Sequence, residues 1–339
     1  MTKRSSSDSS ANFLRRRQLL GALAALPLAL VAPRLHAAGY PSKPIRIIVP
    51  FPAGGGVDIF ARPLAHALSE VLGVPVVVEN VGGAASRIGT QRVAQAAADG
   101  YTLLLTNDTL VASDSVASVG GQDILLERLA PVTLGISSCN LFVTHPKSGF
   151  RDPAGYLQAL KDKGGKLAIG VPGWGTAHHL TSAALNHQLG VDATHVPYRG
   201  GAPVLADLLN GTLDAGVVTM AAAVSHIQVG ALVGVAVTSP QRAAALPDVP
   251  TLTESIAPGF THKTWQGVLA PKNTPAEVRA VLHEGIVKAL QHPRVQEVLP
   301  GQGFDAEGLP GEEFARTLAA SFANFQQVVK ATGIQANQG

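Results

Sequence analysis

The sequence predicts an α/β protein of two lobes, each a mostly parallel sheet flanked by helices, with a ligand-sized cleft between them. Three observations predict it. Short apolar, β-branched runs alternate with segments of helical spacing. The alternation stops near the middle of the chain and starts again. Successive predicted strands run into polar, glycine-rich loops. The apolar runs are too continuous for a sheet with one wet face, so both faces should be covered.

In the first half, "IRIIV" (45–49) is bounded by Pro44 and Pro50 and predicts a strand. The helix after it places Phe60, Leu64, Ala67, Leu68, Val71 and Leu72 on one face, stopped by Gly73. Pro63 requires that helix to begin near Ile59 or Phe60, or to kink. "VPVVVEN" (74–80) predicts a strand, residues 87–100 a helix ending at glycine, and "YTLLLT" (101–106) a third strand. The pattern restarts with strands at "NLFVTHP", "KLAIGVPG", "ATHVPY", "LDAGVVT" and "LVGVAVTS". Between them lie helices at "DPAGYLQALKDKG", "TAHHLTSAALNHQLG", "GAPVLADLLNG" and "AAVSHIQVG". Two helices remain, "PAEVRAVLHEGIVKALQH" and "GEEFARTLAASFANFQQVVKATG", and should return to the first lobe. The expected division is 39–138 plus 240–339 for the first lobe and 139–239 for the second, with crossings near 134–142 and 235–239.

The 339 residues suffice for two cores, and 46% hydrophobic with 14% charged residues describes a packed protein. The formal charge of +3 belongs to the first 38 residues, which hold six of the 26 basic groups and one of the 23 acids. The remainder has 20 basic against 22 acidic groups, so no nucleic-acid partner is expected. That leading segment, "RRRQLLGALAALPLALVAPRLHAAGYP", joins a basic start to an apolar run too short to span a membrane. It reads as an export signal cleaved near Ala37 or Ala38, delivering a soluble chain to the periplasm. Its consecutive arginines resemble a twin-arginine signal, although Arg15 stands where a small hydroxyl residue is usual; the general secretory route is the alternative. Cys139 is the single cysteine, excluding an intrachain disulfide, and "ISSCNLFV" places it inside a strand.

"PAGGG" (52–56) sits between a strand and a helix. A helix N-terminus has unpaired N–H groups and partial positive charge, and glycine lets an anion approach them. The same loop could be no more than a tight turn that needs positive φ. No nucleotide motif is present. Similar loops follow at "NVGGAASRIGT", "TNDTLV", "VPGWGTAHH" and "VPYRGGAP", and their repetition in two lobes points to a cleft that binds an anion.

"YPSKPIRIIVPFPAGGGVDIFAR", "VVVENVGGAASRIGT", "ADGYTLLL", "LAPVT", "HVPYRGGAPVLADLLNGTLDA", "AVTSPQRAAALPDVPTLTE" and "GVLAPKNTPAEV" resemble the tripartite tricarboxylate transporter receptors, the TctC or Bug proteins, across residues 40–334. The resemblance implies a type-2-like periplasmic-binding-protein fold that closes on a small carboxylate for delivery to membrane permease subunits. It implies contacts from Ala53, Gly54, Gly55 and Asp58, from Asn107 and Thr109, and from Gly175, Thr176, His178, Tyr198 and Gly200. Asp58 suits fixing the loop or orienting water better than touching an anion. The sequence departs from the family at Trp174, at Val218 and Thr219, and at Arg87. Trp174 could stack on an aromatic acid or pack across the lobes. Arg87 could pair with a carboxylate or stay solvated, and Thr219 is carried as a further contact.

Enzyme readings are weaker. His178 and His179 are adjacent and cannot share one helix face, and His187 and His195 lack ligand-spaced partners, so no metal is expected. No G-x-S-x-G elbow is present, although Thr176 or Ser86 with a histidine leaves a non-canonical hydrolase open. A ligand-binding sensor would use the same cleft as a transport receptor. The expectation is a monomeric binding protein without cofactor or turnover.

Overall fold

The structure, a computed structural model, describes residues 39–336; the expected export signal at 1–38 lies outside the described residues. No helix among the described residues is long and apolar enough to cross a membrane.

The first lobe is built on β1 (Ile45–Val49), β2 (Val76–Asn80) and β3 (Thr102–Asn107), which are parallel to one another. The burial of β1 follows its sequence: every residue is buried except Arg46. Helix α1 (Gly56–Leu72) buries Phe60, Leu64, Ala67 and Leu68, the predicted face. It starts earlier than Pro63 suggests and carries that proline inside. Gly73, in the left-handed region at φ 69°, ends it by donating its N–H to the Ser69 carbonyl. Helix α2 (Arg87–Ala94) stops well short of residue 100. Helix α3 (Thr109–Val119) was not expected.

β4 (Leu129–Thr144) joins the lobes. Its first part, Leu129 to Cys139, runs antiparallel to β9 (Lys263–Pro271), and β9 in turn runs antiparallel to β3. β10 (Asp305–Pro310) covers its other side. From Asn140 to Thr144 the same strand pairs antiparallel with β7 (Ala215–Thr219), and from Leu141 with β8 (Val233–Val237). β5 (Ala168–Val171) then pairs parallel with both β7 and β6 (Thr194–Pro197). Each sheet is therefore mixed: the parallel strands predicted by alternation are there, and antiparallel partners enter wherever the chain crosses between lobes. Cys139 is buried in β4, as its apolar neighbours predict.

Helices α4 (Pro153–Lys163), α5 (Ala177–Leu189), α6 (Gly201–Leu209) and α7 (Met220–Gln228) surround the second sheet. Helices α8 (Ala276–Leu290), α9 (Pro293–Val298) and α10 (Gly311–Thr332) complete the chain. Val278, Leu282, Ile286 and Leu290 of α8 join the core under α1, so this helix does return to the first lobe. Phe314, Leu318, Phe325 and Val329 of α10 share a core with Leu110 and Val111 of α3 and with Ala177 and Leu180 of α5. Apolar packing thus continues from one lobe into the other.

Candidate functional site

The N-termini of α1, α3, α5, α6 and α7 converge on one cavity of about 50 Å3. Ala53, Gly55, Gly56 and Val57 bring the start of α1, and Asn107 and Thr109 that of α3. Thr176 and His178 bring α5, Gly200 and Gly201 bring α6, and Thr219 brings α7. Phe51, Pro52, Pro172, Ala202 and Ala222 complete the wall. Among the described residues, no Asp, Glu, Lys or Arg side chain lines it. Each helix end carries roughly half a positive charge on free N–H groups, so the field in the cavity is positive without a cation.

The local structure leaves those N–H groups available at α1, α6 and α7, while at α3 and α5 side chains already take some of them. Gly55, Gly200 and Thr219 cap α1, α6 and α7 without a side-chain hydrogen bond. Thr176 Oγ1 accepts from the His179 amide at 3.3 Å, and Asn107 Oδ1 accepts from the Thr109 amide at 3.1 Å. Thr109 Oγ1 accepts from the Ala177 amide at 3.4 Å, a bond from one lobe to the other.

Two glycines let the lobes touch. A Cβ on Gly56 would lie 2.9 Å from Thr219 Cβ. Gly200 has φ +109°, and a Cβ there would meet Pro52 Cγ at 3.1 Å. Residues with side chains would hold the walls apart.

His178 is the titratable side chain of the wall. It is 5% exposed, and its Nε2 lies 3.0 Å from Thr219 Oγ1. Burial pushes its pKa down to about 4, with nearby Asp108 raising it and His262 lowering it further. The imidazole is neutral at pH 7, and Nδ1 has no hydrogen-bond partner among the described residues. Behind it, Asp108 Oδ2 is 2.7 Å from His262 Nε2 while Asp108 Oδ1 is unpartnered. This pair anchors the cap of α3 to the segment leading into β9. Nothing in the sequence marks it, because its partners are separated by 154 positions.

The structure gathers Ala53, Gly55, Asn107, Thr109, Thr176, His178, Gly200 and Thr219 at the cavity. It places the other expected residues elsewhere, for identifiable reasons. Gly54 forms the turn before α1 at φ +79°, and its amide donates to Asp58 Oδ2 at 3.0 Å. Asp58 faces Arg62 Nε at 2.8 Å and accepts from Asn80 Nδ2 at 2.9 Å. Burial alone would raise the Asp58 pKa, but bonds from Arg62, Gly54 and Asn80 outweigh it and hold the carboxyl below the usual range. Asp58 fixes the loop and is not part of the wall.

Arg87 is satisfied internally, donating to Asp114 Oδ1 at 2.6 Å and to the Asp123 carbonyl at 2.7 Å. Trp174 packs at a tilt against His179 with ring centroids 4.2 Å apart and donates to the Gln335 carbonyl at 2.9 Å. Gly175 makes the preceding turn at φ +72° and donates to His179 Nδ1 at 3.1 Å. The Tyr198 hydroxyl donates to Asp207 Oδ2 at 2.6 Å. Pro52, Gly56 and Gly201 also belong to the wall, beyond the individual contacts that the resemblance implies. Among the described residues no cluster of three or more His, Cys, Asp or Glu could hold a metal.

The chain matches the family model described as "Tripartite tricarboxylate transporter family receptor" over residues 60–334. Bordetella pertussis protein BugT is 34% identical over 304 residues, covering 89% of this chain and 93% of the relative. Two R. palustris structures superpose along almost their whole length. Rpa4515 with adipate gives a TM-score of 0.82 at 28% identity, covering 87% of this chain and 99% of that one. MatC with bound malate gives 0.80 at 27% identity, covering 86% and 100%.

Proposed function

The chain belongs to the tripartite tricarboxylate transporter receptor family, and from that premise we propose that its cavity captures a small carboxylate by closure of the two lobes. The observation that carries this reading is the convergence of helix N-termini on a wall without charged side chains. A carboxylate there accepts several hydrogen bonds from backbone amides, each strengthened by its own charge and by the helix ends. Asn107, Thr109, Thr176 and Thr219 add side-chain groups to those amides. Neutral His178 supplies a hydrogen-bonding edge instead of a charge. The cavity's small volume means that the lobes must part to admit an acid and close again around it. Adipate and malate in the two structural relatives favour an aliphatic dicarboxylate as the first ligand to try.

In this reading the signal at 1–38 exports the chain, by the twin-arginine route and with cleavage near Ala37 or Ala38. The first lobe comprises 39–138 with 240–339, and the second 139–239. The protein acts as a monomer without turnover and presents its closed form to permease subunits. The test is thermal unfolding of the chain from Gly39 against a panel of mono-, di- and tricarboxylates. A ligand at 100 times its Kd adds about 2.7 kcal/mol, enough to move the midpoint by several degrees. A shift with one acid, recovered unchanged, supports a receptor; no shift with any acid, or consumption of the acid, overturns it.

A further inference from the structure

The loop before α5 is tied to the chain beyond α10. Trp174 stands in that loop between Pro172 and Thr176, two residues of the carboxylate cavity's wall. Glycines flank it on both sides, so the backbone alone gives the loop little stiffness. The Trp174 indole N–H donates to the Gln335 carbonyl at 2.9 Å. Its half-buried ring packs against the core in which Val329 and Ile334 meet Val116 of α3. It also packs against His179, whose Nδ1 accepts from the Gly175 amide at 3.1 Å.

In the division proposed above, this loop belongs to the second lobe, and α3 and the chain beyond α10 belong to the first. The loop is also bonded to the wall around it. The Pro172 carbonyl accepts from the Gly200 amide at 3.0 Å, and Thr176 Oγ1 donates to the Gly173 carbonyl at 2.8 Å. A shift of Trp174 therefore bears on Pro172, Thr176 and Gly200 together. Phenylalanine could supply a ring at this position, and the indole N–H adds one directed bond to a carbonyl of the other lobe.

We propose that Trp174 is a positioning residue for carboxylate binding: it clasps the α5 loop to the chain beyond α10 and so holds the lobes closed. Its bond to Gln335 forms as the lobes close and breaks as they part. Trp174 is not part of the wall, so it acts through Pro172, Thr176 and Gly200. The clasp sets how long an acid is retained and leaves its rate of entry alone. The proposal rests on the reading that the lobes close around an acid.

Acrylamide quenching of fluorescence reads chiefly Trp174, because the second tryptophan, Trp265, is 3% exposed. With adipate as the probe on the chain from Gly39, quenching should fall as the clasp forms. Trp174→Phe keeps a ring and loses the N–H. It should weaken adipate about fivefold, the worth of one hydrogen bond. The loss should appear as faster dissociation with unchanged association, and the thermal midpoint of the acid-free chain should hold. A packing role alone would lower that midpoint and leave the rates as they are. Ending the chain at Ile334 removes the acceptor and should weaken adipate to the same extent. In that shortened chain Trp174→Phe should cost no further affinity. Wild-type affinity in Trp174→Phe overturns the proposal, as does an equal further loss in the shortened chain. Malate serves as the probe where adipate does not bind. Failure of both acids to bind the natural chain is a failure of the carboxylate reading. The clasp is then read without an acid: quenching should rise in the chain ending at Ile334, and unchanged quenching overturns it.

Discussion

Substituting Gly56 by alanine isolates lobe closure from everything else the opening loop does. The added Cβ would stand 2.9 Å from both Cβ and Cγ2 of Thr219 and 3.1 Å from its Oγ1. Ordinary contacts begin near 3.4 Å. The threonine cannot easily yield, because it is β-branched and its hydroxyl faces His178 at 3.0 Å. The walls must separate by about half an ångström, and overpacking of this kind costs about 1–3 kcal/mol. That corresponds to about 5- to 150-fold weaker binding of the acid. Gly301→Ala is the control: its Cβ would meet nothing within 4 Å and it lies outside the wall. It should leave both fold stability and affinity close to wild type, affinity within about twofold. Isothermal titration of both variants with the acid identified by thermal shift measures the difference. Wild-type affinity in Gly56→Ala would refute the reasoning that closure brings these backbones together.

Arg87→Ala should destabilise the fold by about 1–3 kcal/mol, because buried Asp114 loses one partner while its Oδ2 still accepts from the Leu126 amide at 2.8 Å. Urea unfolding reads that loss, and acid affinity should not change, since Arg87 lies outside the wall. Burial lowers the pKa values of His178, His179 and His195 to about 4, 3 and 4, below the ordinary 6.5. Their folded-state pKa values are depressed, so the unfolded chain binds more protons between about pH 6.5 and 4. Stability is full above that window and declines through it as pH falls. Denaturation at several pH values should show the decline, and His195→Gln should make it shallower. Asp58 adds to the same trend at lower pH: its folded pKa is depressed, so its contribution is present above the ordinary carboxylate range and disappears as pH falls through the lowered value. Asp58→Asn should remove that last part of the acid dependence.

Elements whose faces differ were legible from their residues. β1 and β3 announce themselves as apolar runs, and α1, α8 and α10 as one-sided helices. Helix α3 escaped because Thr109 through Ala117 are all buried. "TLVASDSVASV" therefore has no polar face to mark a period, and its serines and β-branched residues are weak helix formers. β9 pairs with β3 and β4, both earlier in the chain, so its partners are not its neighbours in sequence. At the candidate site, loop chemistry pointed to the backbone positions around α1, α5 and α6. It could not reveal that Arg87 has a private partner in Asp114, that Trp174 is occupied by His179 and Gln335, or that Tyr198 is tied to Asp207. Those outcomes depend on which side chains the fold brings together, and local patterns do not record them.

The shared strand β4 has a consequence for how the protein comes apart. Residues 129–139 are laced to β9 and residues 140–144 to β7 and β8, with no break in the strand between them. Melting either lobe alone would strip partners from backbone groups that the other lobe still holds in place. Leu180 and Ala183 of α5, packed with Phe325 and Val329 of α10, would lose their cover in the same event. The lobes should therefore unfold in a single cooperative transition, and the most protected amides should run through the junction at Cys139 and Asn140. An acid held between the lobes then lends its binding energy to the whole molecule.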